Sequence, residues 1–523
     1  MEHLKRLFLF LLVIFLSVGS YFLYWRSNVR RLEFIFTSDG HGSILPERAY
    51  WRDENPDIGG LGALSTFLKG ISAPYILTDS GDIFQGTPEG VLTEGRVVIR
   101  LMNHLGYDAA ALGNHEFDLG QEVLSSLASD ADFPLLGANI RESDTGGIPG
   151  YLSPYTVKTL NGIDVGIIGV ITPGMDKISI PKNIENLEFM DTVPVISSAA
   201  EVLREKGVEI IVVLSHCGLK HDLKVAEELK GEVDLILGGH THRRLYNPRI
   251  KGRVLVCQPG SNFNYAGRLA LFYCERENRT LSYAHRLEPL YIEKYPPDGE
   301  TDIIIEEYTA DVSEKLNEVI GESLRRLPGS LTGEDLFHRE LALGNWQADV
   351  MREVLETDFA FQNTGGIRGD IPEGEIKVRD IWTLSPFGNH LVKMELTGAQ
   401  IRALLEQSAA QEYSFLQVSG LQVLYNSSLP EGGRVLNVIA VDPEGERYEI
   451  EDEGSYTVAT NSFLAQGGDG YTVFTEGEEI SEKELLLRDV LIDYIREKSP
   501  VYAEKEGRII NVSRSRESAL EGF

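Results

Sequence analysis

Gly113-Asn114-His115-Glu116-Phe117-Asp118 follows a short apolar run at 109–112 and belongs to an ordered series of polar clusters. Before it stand Asp39-Gly40-His41 and Gly81-Asp82; after it come Ser215-His216 and Gly238-Gly239-His240-Thr241-His242. Aliphatic runs of strand length recur at 33–37, 75–79, 109–112, 165–172, 209–215 and 233–237. Helical patterns lie between them at 61–69, 96–105, 195–206 and 223–229. This alternation predicts an α/β layered domain whose polar groups gather at one end of successive strands, where such sheets carry their sites. Asn161-Gly162, between two apolar runs, signals a hairpin and predicts mixed rather than wholly parallel sheets.

The clusters offer Asp, Asn and His ligands in numbers sufficient for two divalent metals, which points to phosphate-ester hydrolysis. In a strand, side chains at i and i+2 share a face, so Asp39 with His41, and His240 with His242, are each expected to face one metal. Two metals held about 3.5–4 Å apart need a bridging carboxylate to offset their repulsion. Asp82, after the tight Gly81 turn, is the candidate. Mixed nitrogen and oxygen ligation fits zinc, manganese, cobalt or iron better than calcium or magnesium.

Outward from this region, 523 residues exceed one ordinary core and predict at least two domains. Pro296-Pro297-Asp298-Gly299 breaks the alternation, and a charged helical stretch at 302–326 reads as a linker helix. A second α/β region begins near residue 331, with helices at 345–355 and 397–407 and strands at 358–362, 416–425 and 455–460. The predicted division is an N-terminal targeting segment (1–31), a first domain (32–300), the linker (301–326), a second domain (327–515) and a short tail (516–523).

Composition is globular, at 42% hydrophobic and 25% charged, and the net charge of −31 excludes a nucleic-acid polymer or an anionic membrane face as partner. Local cations or metals still allow a small phosphate ester to bind in one cleft. Cys217, Cys257 and Cys274 match no metal knuckle or disulfide framework and are expected as free thiols. Residues 7–25 are uncharged and close to the ~20 residues that span a bilayer. Small residues at 17–19 offer a cleavage site, but the apolar run continues through Tyr21 to Trp25, which favours an uncleaved signal anchor. The catalytic domains are then membrane-tethered and extracytoplasmic, or secreted or periplasmic if the segment is removed. The stretch 513–523 has no hydrophobic tail, which speaks against a lipid anchor added there.

The ordered clusters resemble those of the calcineurin-type metallophosphoesterases and, more narrowly, the 5′-nucleotidase family, from about residue 32 to 512. The resemblance implies a layered α/β metallophosphoesterase sandwich, a linker helix and a second α/β nucleotide-binding domain. It implies that Asp39, His41, Asp82 and His242 hold one metal and that Asp82, Asn114, His216 and His240 hold the other. His115 would be oriented by Asp118 and stabilise the transition state while metal-bound hydroxide attacks in line.

In the second region Asn363-Thr364-Gly365-Gly366-Ile367-Arg368 is similar to the family's phosphate-binding loop, and Arg339 is placed like another of its phosphate-binding arginines. Ser385-Pro386-Phe387-Gly388-Asn389 and Phe463-Leu464-Ala465-Gln466-Gly467-Gly468-Asp469 resemble the two loops whose phenylalanines stack on a nucleobase. Asn389 would contact the base, and Asp469 and Asn363 the ribose or base edge. The implied activity is hydrolysis of nucleotide phosphate esters. A 2′,3′-cyclic-nucleotide phosphodiesterase or nucleotide-sugar hydrolase is the alternative, and a non-catalytic nucleotide-binding surface protein is the remote one.

Overall fold

The computed structural model describes residues 28–49, 52–330, 338–442, 445–480 and 485–513. The apolar run at 7–25 and the tail at 516–523 lie outside the described residues. Among the described residues no helix is long and apolar enough to cross a membrane.

Two six-stranded sheets form the first region. One runs Arg279–Pro289, Tyr265–Cys274, Val29–Thr37, Ile76–Asp79, Ala109–Ala111 and Leu135–Leu136 in spatial order. The other runs Arg249–Lys251, Val254–Cys257, Leu235–Gly238, Ile210–His216, Ile163–Ile171 and Tyr155–Leu160. Strand alternation decides the layering. Leu32, Phe34 and Phe36 pack with Val165, Ile167, Val212 and Leu214 between the sheets. Ile35 points to the other face, against the helices Leu61–Lys69 and Arg96–Leu105. The helices Thr192–Glu205 and Leu219–Glu228 cover the outside of the second sheet. The result is the expected layered sandwich.

Both sheets are mixed, as the hairpin signal requires. Asn161 (φ 52°) and Gly162 (φ 84°) both take positive φ between antiparallel Tyr155–Leu160 and Ile163–Ile171, the geometry of a two-residue hairpin turn. Cys217 and Cys257 are free thiols.

The linker helix is shorter than the charge pattern predicts. It spans Gly299–Leu316, with the Asp298 carboxylate accepting from Glu300 N and Thr301 N at its start. Asn317 caps it, and Val319–Ser323 pairs instead with Gly374–Lys377 as a two-stranded ribbon. Within 319–323 Val319 and Ile320 favour a strand, Gly321 disfavours continuing the helix, and the partner strand outweighs local charge.

The second region is built on a five-stranded sheet ordered Leu416–Ser419, Phe359–Asn363, Ser455–Asn461, Leu391–Thr397 and Glu478–Glu479. Helix Ala342–Leu355 packs against it, and Thr397 opens helix Gly398–Ala410 with a reciprocal Thr–Gln capping box to Gln400. The single strand expected at 416–425 is two. Gly420 (φ 77°) breaks it, and Leu421–Tyr425 joins a separate four-stranded sheet. A Cβ at Gly420 would lie 2.5 Å from the Asp358 carbonyl, so the break needs glycine for both its φ and its space.

Candidate active site

Every cluster singled out in the first domain lies at or just past the carboxyl end of a parallel strand, but strand alternation does not place its ligands. Val29–Thr37 stops before Asp39 and His41, whose φ values are 53° and 49°. Their convergence comes from a left-handed loop pinned by Asp39 N to the Gly81 carbonyl and His41 N to the Asp82 carbonyl, each 2.9 Å. Leu235–Gly238 likewise stops before His240 and His242, at φ 71° and 50°. Asp82 is a fifth such residue, at φ 57°. Non-glycine residues in this region cost about 1–3 kcal/mol each and persist only where the surroundings impose them.

These loops bring together two overlapping groups, Asp39, His41, Asp82 and His242, and Asp82, His216 and His240, each with ligand atoms within 4.8 Å of one another. Asp82 is common to both. His216 Nε2 lies 3.1 Å from Asp82 Oδ2, and His242 Nε2 lies 3.4 Å from Asp39 Oδ1. Asn114 Oδ1 stands 3.1 Å from His240 Nδ1 and joins the second group.

The donor set fits divalent cations. His41 Nδ1 donates to the Gln85 carbonyl at 2.9 Å and His216 Nδ1 to the Ser80 carbonyl at 2.8 Å. A carbonyl only accepts, so in the neutral form of each ring Nδ1 carries the proton and Nε2 the lone pair, turned inward. His41 Nε2 and His242 Nε2 accordingly face each other at 3.0 Å, and His216 Nε2 is buried without a hydrogen-bond partner. Burial holds His240 neutral, its pKa down at about 4. Burial also opposes charge on His216, yet Asp82 and Asp39 outweigh it and lift its pKa to about 10. The buried carboxylates therefore demand positive charge at this point, which a bound cation satisfies.

His115 follows Asn114 on a single turn, Asn114–Phe117, at the rim of this cluster. Its Nδ1 lies 2.6 Å from Asp118 Oδ2, and its backbone N donates to Asp82 Oδ1 at 3.0 Å. Burial works against an imidazolium here, but the Asp118 and Asp82 carboxylates outweigh it and raise the His115 pKa above 6.5. Glu116, quoted in the opening motif without a role, is the residue that sequence reasoning missed. Its carboxylate accepts from three backbone N–H groups, Asp82 (2.8 Å), Ile83 (2.7 Å) and Gly113 (2.6 Å), and so ties the Asp82 turn to the Asn114–His115 turn. Nothing in a sequence announces which backbone donors a glutamate will meet.

The second domain faces this cluster directly. Arg368 Nη2 lies 3.1 Å from His41 Nε2, and Phe387 stacks on the His115 ring with centroids 5.5 Å apart and planes at 22°. Asp469 Oδ2 accepts from Asn363 Nδ2 at 2.7 Å and from Ser414 Oγ. Phe463 lies against Gly468, where a Cβ would come within 2.5 Å of its ring. Asn389 is buried at the foot of the Phe387 loop, its carbonyl accepting from Leu487 N. Thr364 accepts from Phe415 N through its hydroxyl at 2.8 Å. Arg339 is not brought to the cluster. Its guanidinium donates to the Ser408 and Ala409 carbonyls, at 2.8 and 3.0 Å, and lies 4.1 Å from the Phe415 ring centroid. The carbonyls ending helix Gly398–Ala410, which also accept from Gln411 N and Arg434 Nη1, attract that cation.

Comparisons with known proteins agree with this architecture. The model of the calcineurin-like phosphoesterase family matches residues 32–244, and that of the 5′-nucleotidase C-terminal domain matches residues 319–476. A 5′-nucleotidase precursor from Thermus thermophilus superposes with a TM-score of 0.84 at 33% identity, covering 92% of this chain and 99% of that one. Snake venom 5′-nucleotidase from Gloydius brevicauda is 32% identical over 498 residues, 86% of this chain and 83% of the relative. The trifunctional nucleotide phosphoesterase YfkN of Bacillus subtilis is 28% identical over 84% of this chain, which spans 33% of that longer protein. With a candidate dinuclear metal site at the strand ends and both family domains in order, the chain belongs to the 5′-nucleotidase family and is a metal-dependent phosphoester hydrolase.

Proposed function

We propose that this protein hydrolyses nucleoside 5′-monophosphates to nucleoside and phosphate, with the phosphate at the two-metal cluster and the base between loops of the second domain. The observation carrying this reading is the position of His115, in contact with the cluster through Asp82 and with Phe387 through its ring. Asp39, His41, Asp82 and His242 would hold one divalent ion; Asp82, Asn114, His216 and His240 would hold the other, with zinc, manganese, cobalt or iron as candidates. Bound there, the ions supply charge neutralisation for phosphate oxygens and acidify water toward the nucleophile. His115, kept protonated by Asp118, donates to phosphate or leaving-group oxygen as negative charge builds. Arg368 offers a planar fork to the phosphate, Phe387 and Phe463 stack on the base, and Asn363, Asn389 and Asp469 contact base or ribose.

Arg368 and Phe387 reach the cluster from the other domain and already contact His41 and His115. Substrate entry therefore requires the second domain to withdraw, with a hinge within residues 302–326. Cross-linking the two domains should abolish turnover; unchanged kcat would refute the motion. For location, the run at 7–25 acts as a signal anchor, or as an export signal if removed. Fractionation that leaves the full-length protein in the cytosol would refute both.

A substrate panel of AMP, ADP, ATP, 2′,3′-cyclic AMP and UDP-glucose, run with several divalent metals, tests the assignment. Highest kcat/KM on AMP is expected. The likeness to a Bacillus subtilis protein described as a trifunctional nucleotide phosphoesterase supports action on more than one kind of nucleotide ester. Hydrolysis of a 2′,3′-cyclic nucleotide or a nucleotide-sugar is the second reading, and preference for those substrates would establish it.

A further inference from the structure

Beneath the metal-facing loops runs a polar chain that the reaction itself does not use. Ser215, Asp222 and Gln258 are 2%, 0% and 1% exposed. Ser215 Oγ donates to Asp222 Oδ1 at 2.6 Å. Gln258 Nε2 donates to Asp222 Oδ2 at 3.3 Å and to the Gly239 carbonyl at 3.0 Å. On its other side Gln258 Oε1 accepts from Thr241 Oγ1 at 2.9 Å, and Thr241 Oγ1 accepts from Leu219 N at 3.3 Å. The amide of Gln258 is thus used at both ends, and reversing it would set Oε1 against two acceptors, Asp222 Oδ2 and the Gly239 carbonyl. The chain fits closely under the strand end: a Cβ at Gly238 would lie 2.2 Å from Asp222 Oδ2.

What the chain holds is specific. Ser215 precedes His216, Gly239 precedes His240, and Thr241 stands between His240 and His242. Three candidate metal ligands, two of them on left-handed backbone, are each one residue from an atom tied to Asp222 or Gln258. Without such ties, residues at positive φ relax toward ordinary conformations and the imidazoles diverge.

We propose that Asp222 and Gln258 are positioning residues that set the affinity of the cluster for metal, by fixing the backbone that carries His216, His240 and His242. The proposal rests on reading the cluster as a metal site. Removing an outer hydrogen-bond partner of a metal ligand typically lowers affinity about 10–100-fold, and this chain serves three ligands together.

The test is calorimetric titration of metal-free, full-length protein with Mn²⁺, alongside thermal unfolding of the same metal-free samples. Gln258→Met keeps length and volume but releases both Gly239 and Thr241; a roughly 10–100-fold loss of Mn²⁺ affinity is expected. Asp222→Ala removes the acceptors of both Ser215 Oγ and Gln258 Nε2, and a loss of Mn²⁺ affinity comparable to that of Gln258→Met is expected. Thr241→Val removes the bond to Gln258 and the one from Leu219 N but leaves Gln258 on Gly239, so its loss should be smaller than that of Gln258→Met, and it carries the test if Gln258→Met does not fold. If Gln258→Met and Thr241→Val lower the unfolding temperature yet bind Mn²⁺ as tightly as wild type, the chain is structural only and the proposal is overturned. Wild-type protein that binds no divalent metal would instead overturn the metal reading on which the proposal depends.

Discussion

In the first domain, five clustered side chains stand on backbone at positive φ, fastened by bonds from neighbouring strand ends. The residues that face them from the second domain, Arg368 and Phe387, have ordinary backbone, and their side chains reach across to His41 and His115 of the other domain. The two halves of the site are therefore determined differently. The first is assembled within one packed sandwich, and its strain is offset by burial and by bonds such as the three that Glu116 accepts. The second becomes part of the site only when the domains meet. Substitutions in the first half should alter chemistry, and substitutions in the second should alter capture of substrate.

The sharpest way to break that distinction is His115→Ala. It removes the proposed proton donor without touching a proposed ligand atom, so kcat should fall by ~10²–10⁴ while metal content stays at the wild-type value. Full activity would remove His115 from the chemistry; loss of metal would show that the two halves of its turn are not separable. Next in size is Phe387→Ala. Stacking on a base is worth ~1–3 kcal/mol, so KM for AMP should rise about 5–150-fold with kcat largely retained. A fall in kcat without change in KM would mean that Phe387 serves His115 rather than the nucleotide.

How far this contrast could be read in advance depends on whether local pattern or distant partners decide a residue's place. Helices Leu61–Lys69 and Arg96–Leu105 match their predicted limits because their apolar spacing and flanking glycines are local. The gathering of polar clusters at strand ends was legible for the same reason. The loops that orient the ligands were not, since positive φ at Asp39 or His240 is imposed by contacts to residues 81–82 and 215–216, far along the chain. The linker was misjudged at 317–326 because its strand partner, Gly374–Lys377, lies some fifty residues on. Arg339 matched a motif position, but the end of helix Gly398–Ala410 holds its guanidinium.

Asp79 probes the strain stored in the first domain through pH. It is fully buried beside the cluster, where it accepts from Thr37 Oγ1 at 2.6 Å and Gly81 N at 2.8 Å. Burial outweighs those bonds and raises its carboxyl to about 6 from 3.8. Between those two values the folded state binds more protons than the unfolded one, so the carboxyl's contribution to stability is lost as pH rises through that window. Asp79→Asn should flatten the decline in unfolding free energy between pH 4 and 7 by on the order of 1–3 kcal/mol. Parallel curves for metal-free wild type and variant would remove Asp79 as the source.

The smallest effect tests the docking of the two halves. Arg379 Nη1 reaches Glu89 Oε1 of the first domain at 3.1 Å, and its Nε donates to Asn317 Oδ1, at the end of the linker helix, at 3.0 Å. The Glu89 side chain is 7% exposed and that of Arg379 27%, so the pair is shielded more than a surface bridge but is not enclosed. A contribution of about 1 kcal/mol to the docked arrangement is expected, somewhat screened by salt. Arg379→Gln should therefore broaden the inter-domain distance distribution measured between spin labels on the two domains, and raise KM a few-fold at low ionic strength. High salt should bring wild type toward the variant, since it weakens the bridge that only wild type has. The first domain's metal affinity should not move, because no bond of Arg379 reaches a ligand loop. If metal affinity falls with the bridge, the two halves are coupled in the ground state and the division between chemistry and capture fails.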